Sequence, residues 1–147
     1  MDALELFRKK FETYRKVMDE AGEKKAWDTL FEGYPERQKK NMGPLIENTT
    51  LAAGFSKAIS LYKQIGMEME VVDISNNNMD AVLEVQKKCP VLNMSKEYDF
   101  DKPCHIICEM DVEATKAAFP EMKGSILARQ ADGDCVCLFK YERPKKQ

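Results

Sequence analysis

Cys104 and Cys108 stand four residues apart in the stretch PCHIICEMD (103–111), and the chain's only histidine, His105, lies between them. Residues four apart fall on one face of a helix, so the two thiols are presented together. Cys89, Cys135 and Cys137 complete a set of five cysteines. Three chemistries use such a set. Free cysteines fill cores as small hydrophobes. Four thiolates hold zinc or an iron–sulfur cluster. A thiolate with a lowered pKa attacks an electrophilic carbon. Cys89, Cys104, Cys108 and Cys137 are the metal-ligand candidates, although no C-x-x-C pair gives them a ribbon or ferredoxin spacing. Cys104, at the start of a helix, is the thiolate candidate, because the first-turn dipole favours negative charge. Cys108 is its neighbour one turn deeper. His105 points away from Cys104 along the helix, so it is an exposed or partner-satisfied residue, a substrate contact or a general base acting apart from Cys104. Asp111 follows Cys108 by three and is either a base, a substrate-orienting carboxylate or a solvated helix residue. Arg129, inside the apolar stretch ILARQA, is either an edge-strand arginine or a fork for a substrate carboxylate.

The elements that must position these groups are read from periodicity. Over 3–21, Leu4, Phe7, Phe11, Tyr14, Met18 and Ala21 make one apolar stripe of a helix. Asp2 and Glu5 have capping-box spacing, and Gly22 is the stop. A second helix is expected over 24–34, interrupted or ended by Pro35, and a third over 45–65, closed by Gly66. The period then changes to two. MEMEVVDI (67–74) and DAVLEVQKK (80–88) flank the polar SNNNM, a hairpin in which Ala81, Leu83 and Val85, with Cys89 in the same parity, are expected to face the core. Residues 91–101 read as loop or short helix. A helix over 102–119 carries the thiol pair, with Pro103 in its first turn and Pro120 beyond its end. GSILARQA and CVCLFKYE flank DGD as a second hairpin, with Cys135, Cys137, Phe139 and Tyr141 on one face. The expected fold class is α+β: N-terminal helices, then two antiparallel β-hairpins flanking a cysteine-bearing helix, with an antiparallel sheet of about four strands. The 147 residues fit one domain, helical over 1–66 and sheet plus cysteine-bearing helix over 67–147.

Composition narrows the function classes. Lys plus Arg number 23 and Asp plus Glu 25, so no basic excess argues for nucleic acid. No apolar run reaches the length of about 18 residues that a membrane span requires. The N-terminus lacks the apolar core of a signal peptide, which points to the cytoplasm. An odd number of cysteines in a reducing compartment argues against a disulfide framework. The expected partner is a small molecule. The stripe of the first helix leaves a homodimer as a further option.

Cys89-Pro90, CEMD (108–111), FPEM (119–122), ILARQ (126–130) and GDCVCLFKY (133–141) resemble, in order and spacing, the L-2-amino-thiazoline-4-carboxylic acid hydrolase family. The family pattern of a strand-ending cysteine, C-x-x-D on a helix, a strand arginine and a terminal G-x-x-x-C-x-F falls on Cys89, Cys108 with Asp111, Arg129, and Gly133 with Cys137 and Phe139. The layout is also similar to the small-molecule-binding domains named after 4-vinyl reductase. Cys104 and Cys135 are additional thiols, and Gln130 stands where the pattern has threonine. The resemblance implies a small hydrolase that opens a cyclic amidine or related C–N bond. Cys108, with Cys104 beside it, would be the nucleophile, or Cys108 with Cys89 and Cys137 would hold a metal that activates water. Asp111 would be base or orienter and Arg129 the carboxylate clamp, with His105 and Phe139 against the substrate. The second similarity implies a non-catalytic module that binds a small molecule and whose cysteines hold zinc or an iron–sulfur cluster.

Overall fold

The computed structural model describes residues 3–100 and 104–146. The first helix, α1, runs Ala3–Ala21, and its apolar stripe is core: Phe11 and Tyr14 are buried, with Leu4, Phe7, Val17 and Met18 packed around them. Asp2, expected to cap α1, lies outside the described residues, as do 102 and 103 of the expected cysteine-bearing helix.

The middle of the helical part departs from its pattern. Helix α2 is Glu23–Phe31, and a further helix, α3, runs Tyr34–Ile46. Pro35 therefore opens a helix instead of ending one, because a first-turn proline loses no hydrogen bond. Gly33, at φ 74°, makes the left-handed break between the two helices. The single helix expected over 45–65 is two short ones, α4 (Leu51–Ser56) and α5 (Ile59–Gln64). Thr50 caps α4 by accepting from the Ala53 amide at 3.1 Å.

Helix α4 crosses α3 at Gly54. A Cβ there would lie 2.6 Å from the Leu45 carbonyl oxygen and 2.7 Å from the Ile46 side chain. Gly54→Ala is therefore expected to push the two helices apart. The expected cost is about 1–3 kcal/mol, read as a fall in melting temperature of several degrees.

The strands are β1 (Glu68–Asp73), β2 (Met79–Lys88), β3 (Lys123–Ala128) and β4 (Cys137–Pro144). They form one antiparallel sheet in the order β1-β2-β4-β3, as the two expected hairpins require. The hairpin expected at DGD is looser. A 3-10 turn over Gln130–Asp132 joins β3 to β4, so Arg129 and Gln130 fall outside the strand and Cys135 is exposed before β4 begins.

Between β2 and β3 the chain forms helix α6 (Pro90–Glu97), a π-helical turn (His105–Glu109) and helix α7 (Met110–Ala118). Helices cover one face of the sheet. One core cluster packs α1, α2, α6, the π-turn and the start of α7 through Phe11, Ala26, Val91, Met94, Ile106 and Met110. A second seals α3, α4 and α7 onto β2 and β4 through Ile46, Leu51, Val82, Val112 and Tyr141. Cys108 packs against both. Among the described residues no helix is long and apolar enough to cross a membrane.

Candidate functional site

The sheet supplies the floor of the site, and the register fixes which residues form it. Val82 pairs with Tyr141, Glu84 with Phe139 and Gln86 with Cys137 across β2 and β4. Side chains alternate along a strand, so Val82, Glu84 and Gln86 share one face. Val82 and Tyr141 lie in the core under the helices, which places Glu84 and Gln86 on the helix-covered side. Leu83 and Val85, expected to face the core, are only half-buried and lie on the other face.

Above this floor is a cavity of about 110 Å³. Its walls are mostly aromatic and apolar, with Phe7, Met67, Ile107 and Phe139 among them, and Tyr34, Tyr62, Tyr141, Glu84, Gln86, Cys108 and Asp111 supply the polar atoms. A neighbouring cavity of about 170 Å³ shares Tyr62, Glu84, Asp111 and Tyr141. The two carboxyls thus stand where the two spaces meet.

The carboxyls are held differently. Asp111 Oδ1 accepts from the Tyr34 hydroxyl at 2.6 Å and from Gln38 Nε2 at 3.2 Å. Gln38 also donates to Thr115 Oγ1 at 2.9 Å, and that hydroxyl donates to the Asp111 carbonyl at 2.8 Å. Asp111 is therefore clamped through one oxygen. Burial raises its pKa, against the Tyr34 hydrogen bond and the charge of Lys10. Glu84 has no such support. Burial first, and the Asp111 charge second, push it up to about 8, so it holds its proton at neutral pH. Burial and the same charge raise the hydroxyls of Tyr34, Tyr62 and Tyr141, which stay protonated donors. The Lys10 ammonium lies 4.5 Å over the Tyr34 ring, lowered in pKa by burial and attracted by Asp111.

Cys108 faces two ways. Besides the aromatic cavity it lines a second space of about 20 Å³ with Cys89, Cys104 and Cys137. Thiols distant in sequence thus gather beneath the final hairpin, while Cys135 stands apart and exposed. Cys104 precedes the π-turn in a left-handed conformation, φ 67°. Its carbonyl accepts the amides of Ile107, Cys108 and Glu109, and its own amide donates to buried Ser95 at 3.2 Å. The Cys104 and Cys108 thiols line this space together. Interaction with the Cys108 thiol, aided by Ser95 and Arg129, lowers the Cys104 pKa against burial. The same interaction, with burial, raises Cys108 well above its ordinary value, so Cys108 is the proton-bearing partner. Burial pushes Cys89 up to about 11 and also raises Cys137.

Zinc needs four donors at about 2.0–2.3 Å in a tetrahedron. Among the described residues no group of three or more His, Cys, Asp or Glu could hold a metal ion. The four thiols are gathered, but they do not make a ligand set as they stand.

Arg129 does not reach the aromatic cavity. It lines the thiol space and pairs with Glu109, which also binds His105 Nδ1. Burial opposes ionisation of Glu109, but these two hydrogen bonds outweigh it and lower its pKa. His105 packs on Trp27 at 4.7 Å between ring centroids. Neither residue lines the aromatic cavity, whereas Phe139 forms part of both walls.

Tyr34, Tyr62, Glu84, Gln86 and Lys10 were not singled out from the sequence. For Glu84 a signal existed, an acid in the middle of an apolar strand. The tyrosines come from three separate elements and carry no common spacing.

A search of curated proteins finds no match. Among solved structures, the crystal structure of the phenol-responsive sensory domain of the transcription activator PoxR with phenol matches with a TM-score of 0.60 at 9% identity, over 93% of this chain and 74% of that one. That likeness shows a shared fold. The sequence model for L-2-amino-thiazoline-4-carboxylic acid hydrolase matches residues 2–141, nearly the whole chain, and includes the thiol, Asp111 and β4 segments on which the resemblance rested. The chain belongs to the L-2-amino-thiazoline-4-carboxylic acid hydrolase family.

Proposed function

We propose that this protein hydrolyses a small cyclic amidine in the aromatic cavity, with Asp111 and Glu84 as its base and acid. One observation carries the reading: two carboxyls share one cavity, and their surroundings make one the hydrogen-bonded acceptor and the other a proton donor at neutral pH. For a 2-amino-thiazoline, Asp111 takes a proton from water as the water oxygen bonds to the amidine carbon, the C=N electron pair moves to the ring nitrogen, and Asp111 hands that proton to the nitrogen. The ring C–S bond then opens as the carbonyl forms; Glu84 gives its proton to the departing sulfur and recovers one from the adduct hydroxyl, and the product is an N-carbamoyl aminothiol. In an all-nitrogen ring the corresponding bond is C–N. Tyr34 and Gln38 hold Asp111 in position. Lys10, which lies over the Tyr34 ring and in the field of Asp111 without lining the cavity, supplies the nearby positive charge for a substrate carboxylate. Cys108 serves as a thiol wall, because it keeps its proton.

The test is incubation with 2-amino-thiazoline-4-carboxylate, with N-carbamoyl-cysteine followed by mass spectrometry and binding followed in parallel by calorimetry. Turnover is expected, and kcat/KM is expected to fall as pH rises through about 8, where Glu84 loses its proton. In acid it is expected to fall again as Asp111 is protonated. Neither binding nor turnover would end the proposal.

A second reading is a binding module without turnover. It is supported by the apolar walls of the cavity and by the fold shared with a domain crystallised with phenol. Saturable binding of the amidine or of a phenol with no product would favour it.

A further inference from the structure

The thiol space takes no part in the hydrolytic reading. At about 20 Å³ it has no room for an organic ligand, yet four of the five cysteines line it. Two of them, Cys104 and Cys108, are also joined through their backbones. Cys104 sits before the first turn of the π-helix and Cys108 inside it, with the Cys108 amide bonded to the Cys104 carbonyl at 2.9 Å. Both side chains therefore project to the same side, against Arg129 and Gln130 of the β3–β4 connection.

We propose that Cys104 and Cys108 are a redox-modification site, at which hydrogen peroxide converts the thiol pair to a disulfide that cellular thiols reverse. The Cys104 thiolate attacks the terminal peroxide oxygen. The O–O bond breaks, Cys104 becomes a sulfenic acid, and the leaving oxygen takes up a proton as water. The Cys108 sulfur then attacks the Cys104 sulfur, the S–O bond breaks, and hydroxide leaves with the Cys108 proton as water. The dithiol gives up two electrons and the peroxide receives them. The lowered pKa of Cys104 suits it as the attacking thiol, and the proton held on Cys108 is the one that leaves with the hydroxide. Because Cys108 also lines the aromatic cavity, the bridge changes a wall of that cavity.

The full chain, reduced and then treated with one equivalent of hydrogen peroxide, is digested with trypsin. Fragment 97–116 contains Cys104 and Cys108 and no other cysteine, since Lys102 precedes a proline. It is expected to be lighter by two hydrogen atoms and to regain them with a thiol reductant. A fragment unchanged in mass, or one that only gains oxygen, overturns the proposal, as does oxidation confined to Cys135. A co-purifying metal ion that blocks oxidation until it is chelated also overturns it. In Cys108→Ser the reaction stops at the sulfenic acid, and dimedone labelling of Cys104 is expected to exceed that of the unsubstituted chain at least ten-fold. Equal labelling in the two proteins counts against the pairing. The fragment mass of the unsubstituted chain decides the question if that variant does not fold.

Discussion

Glu84→Gln is expected to lower turnover and raise stability together. On the reaction side, glutamine keeps the shape of the side chain but has no proton to give to the leaving atom. Removal of a positioned general acid costs about 10²–10⁴ in rate. The alkaline limb of the pH profile should disappear with it, since Glu84 is the group that titrates near 8. On the stability side, the carboxyl goes from its ordinary value of 4.5 to about 8 on folding, through burial and the Asp111 charge. Between those values the folded chain binds the proton and the unfolded chain does not. Stability therefore falls as pH rises from about 4.5 to about 8, and above that the full penalty for the buried carboxyl is present. That penalty is on the order of a few kcal/mol. At pH 9 the glutamine variant should melt higher than the parent chain by roughly 5–10 °C, and at pH 4 the gap should close. Scanning fluorimetry at the two pH values, with the product assay alongside, separates the cases. A variant that keeps its turnover would remove Glu84 from the chemistry. A variant with the same melting temperature at pH 9 would remove the buried acid.

Arg143→Ala is expected to give the largest loss of stability. The guanidinium donates to Asp80 at 3.0 Å and to the carbonyls of Ile46 and Thr49 at 2.7 and 2.8 Å. Its side chain is 11% exposed and that of Asp80 10%. Asp80 in turn accepts the Leu51 amide at 3.1 Å. One buried pair thus ties β2 and β4 to the turn between α3 and α4. Cutting off the arginine leaves a buried carboxylate with one backbone partner, and three acceptors lose their donor. Removal of one partner of a buried pair costs about 3–5 kcal/mol. For a chain of this size that is a fall in melting temperature of roughly 10 °C or more. Asp80→Asn added to Arg143→Ala is expected to recover part of the loss, because it removes the stranded charge. If the single change costs under about 1 kcal/mol in urea titration, the pair behaves as a surface contact and the buried tie is not there.

The two predictions rest on residues that the sequence showed in unequal measure. Hairpin chemistry at SNNNM and the change from helical to alternating period were legible, because both depend on local turn and backbone preferences. The pairing of β2 with β4, which brings Asp80 opposite Arg143, is a long-range contact between residues that share no local signal. On β2 and just past its end the structure buries Ala81 and packs Cys89 against the core as expected but leaves Leu83 and Val85 half-buried, for a physical reason. Ala81, Leu83 and Val85 are the more apolar set, and burial by hydrophobicity alone puts all three inside. The helix-covered face instead carries Val82, Glu84 and Gln86, since an otherwise aromatic and apolar cavity takes an acid and an amide from this strand. A site that needs a buried proton donor breaks the hydrophobic pattern where it matters most. Arg129 was misplaced because β3 ends one residue before it, which turns the guanidinium to Glu109 and the thiols.

By itself, the sequence determined the α+β class, the two hairpins, the core role of the α1 stripe and the family, because each depends on residue order and local spacing. Only the tertiary structure decided that Cys89, Cys104, Cys108 and Cys137 meet in one space, and that Asp111 shares a cavity with Glu84 and three tyrosines. Those meetings depend on how helices from one half of the chain cross a sheet from the other. Crossing geometry is set by packing summed over the whole core, and no local pattern records it.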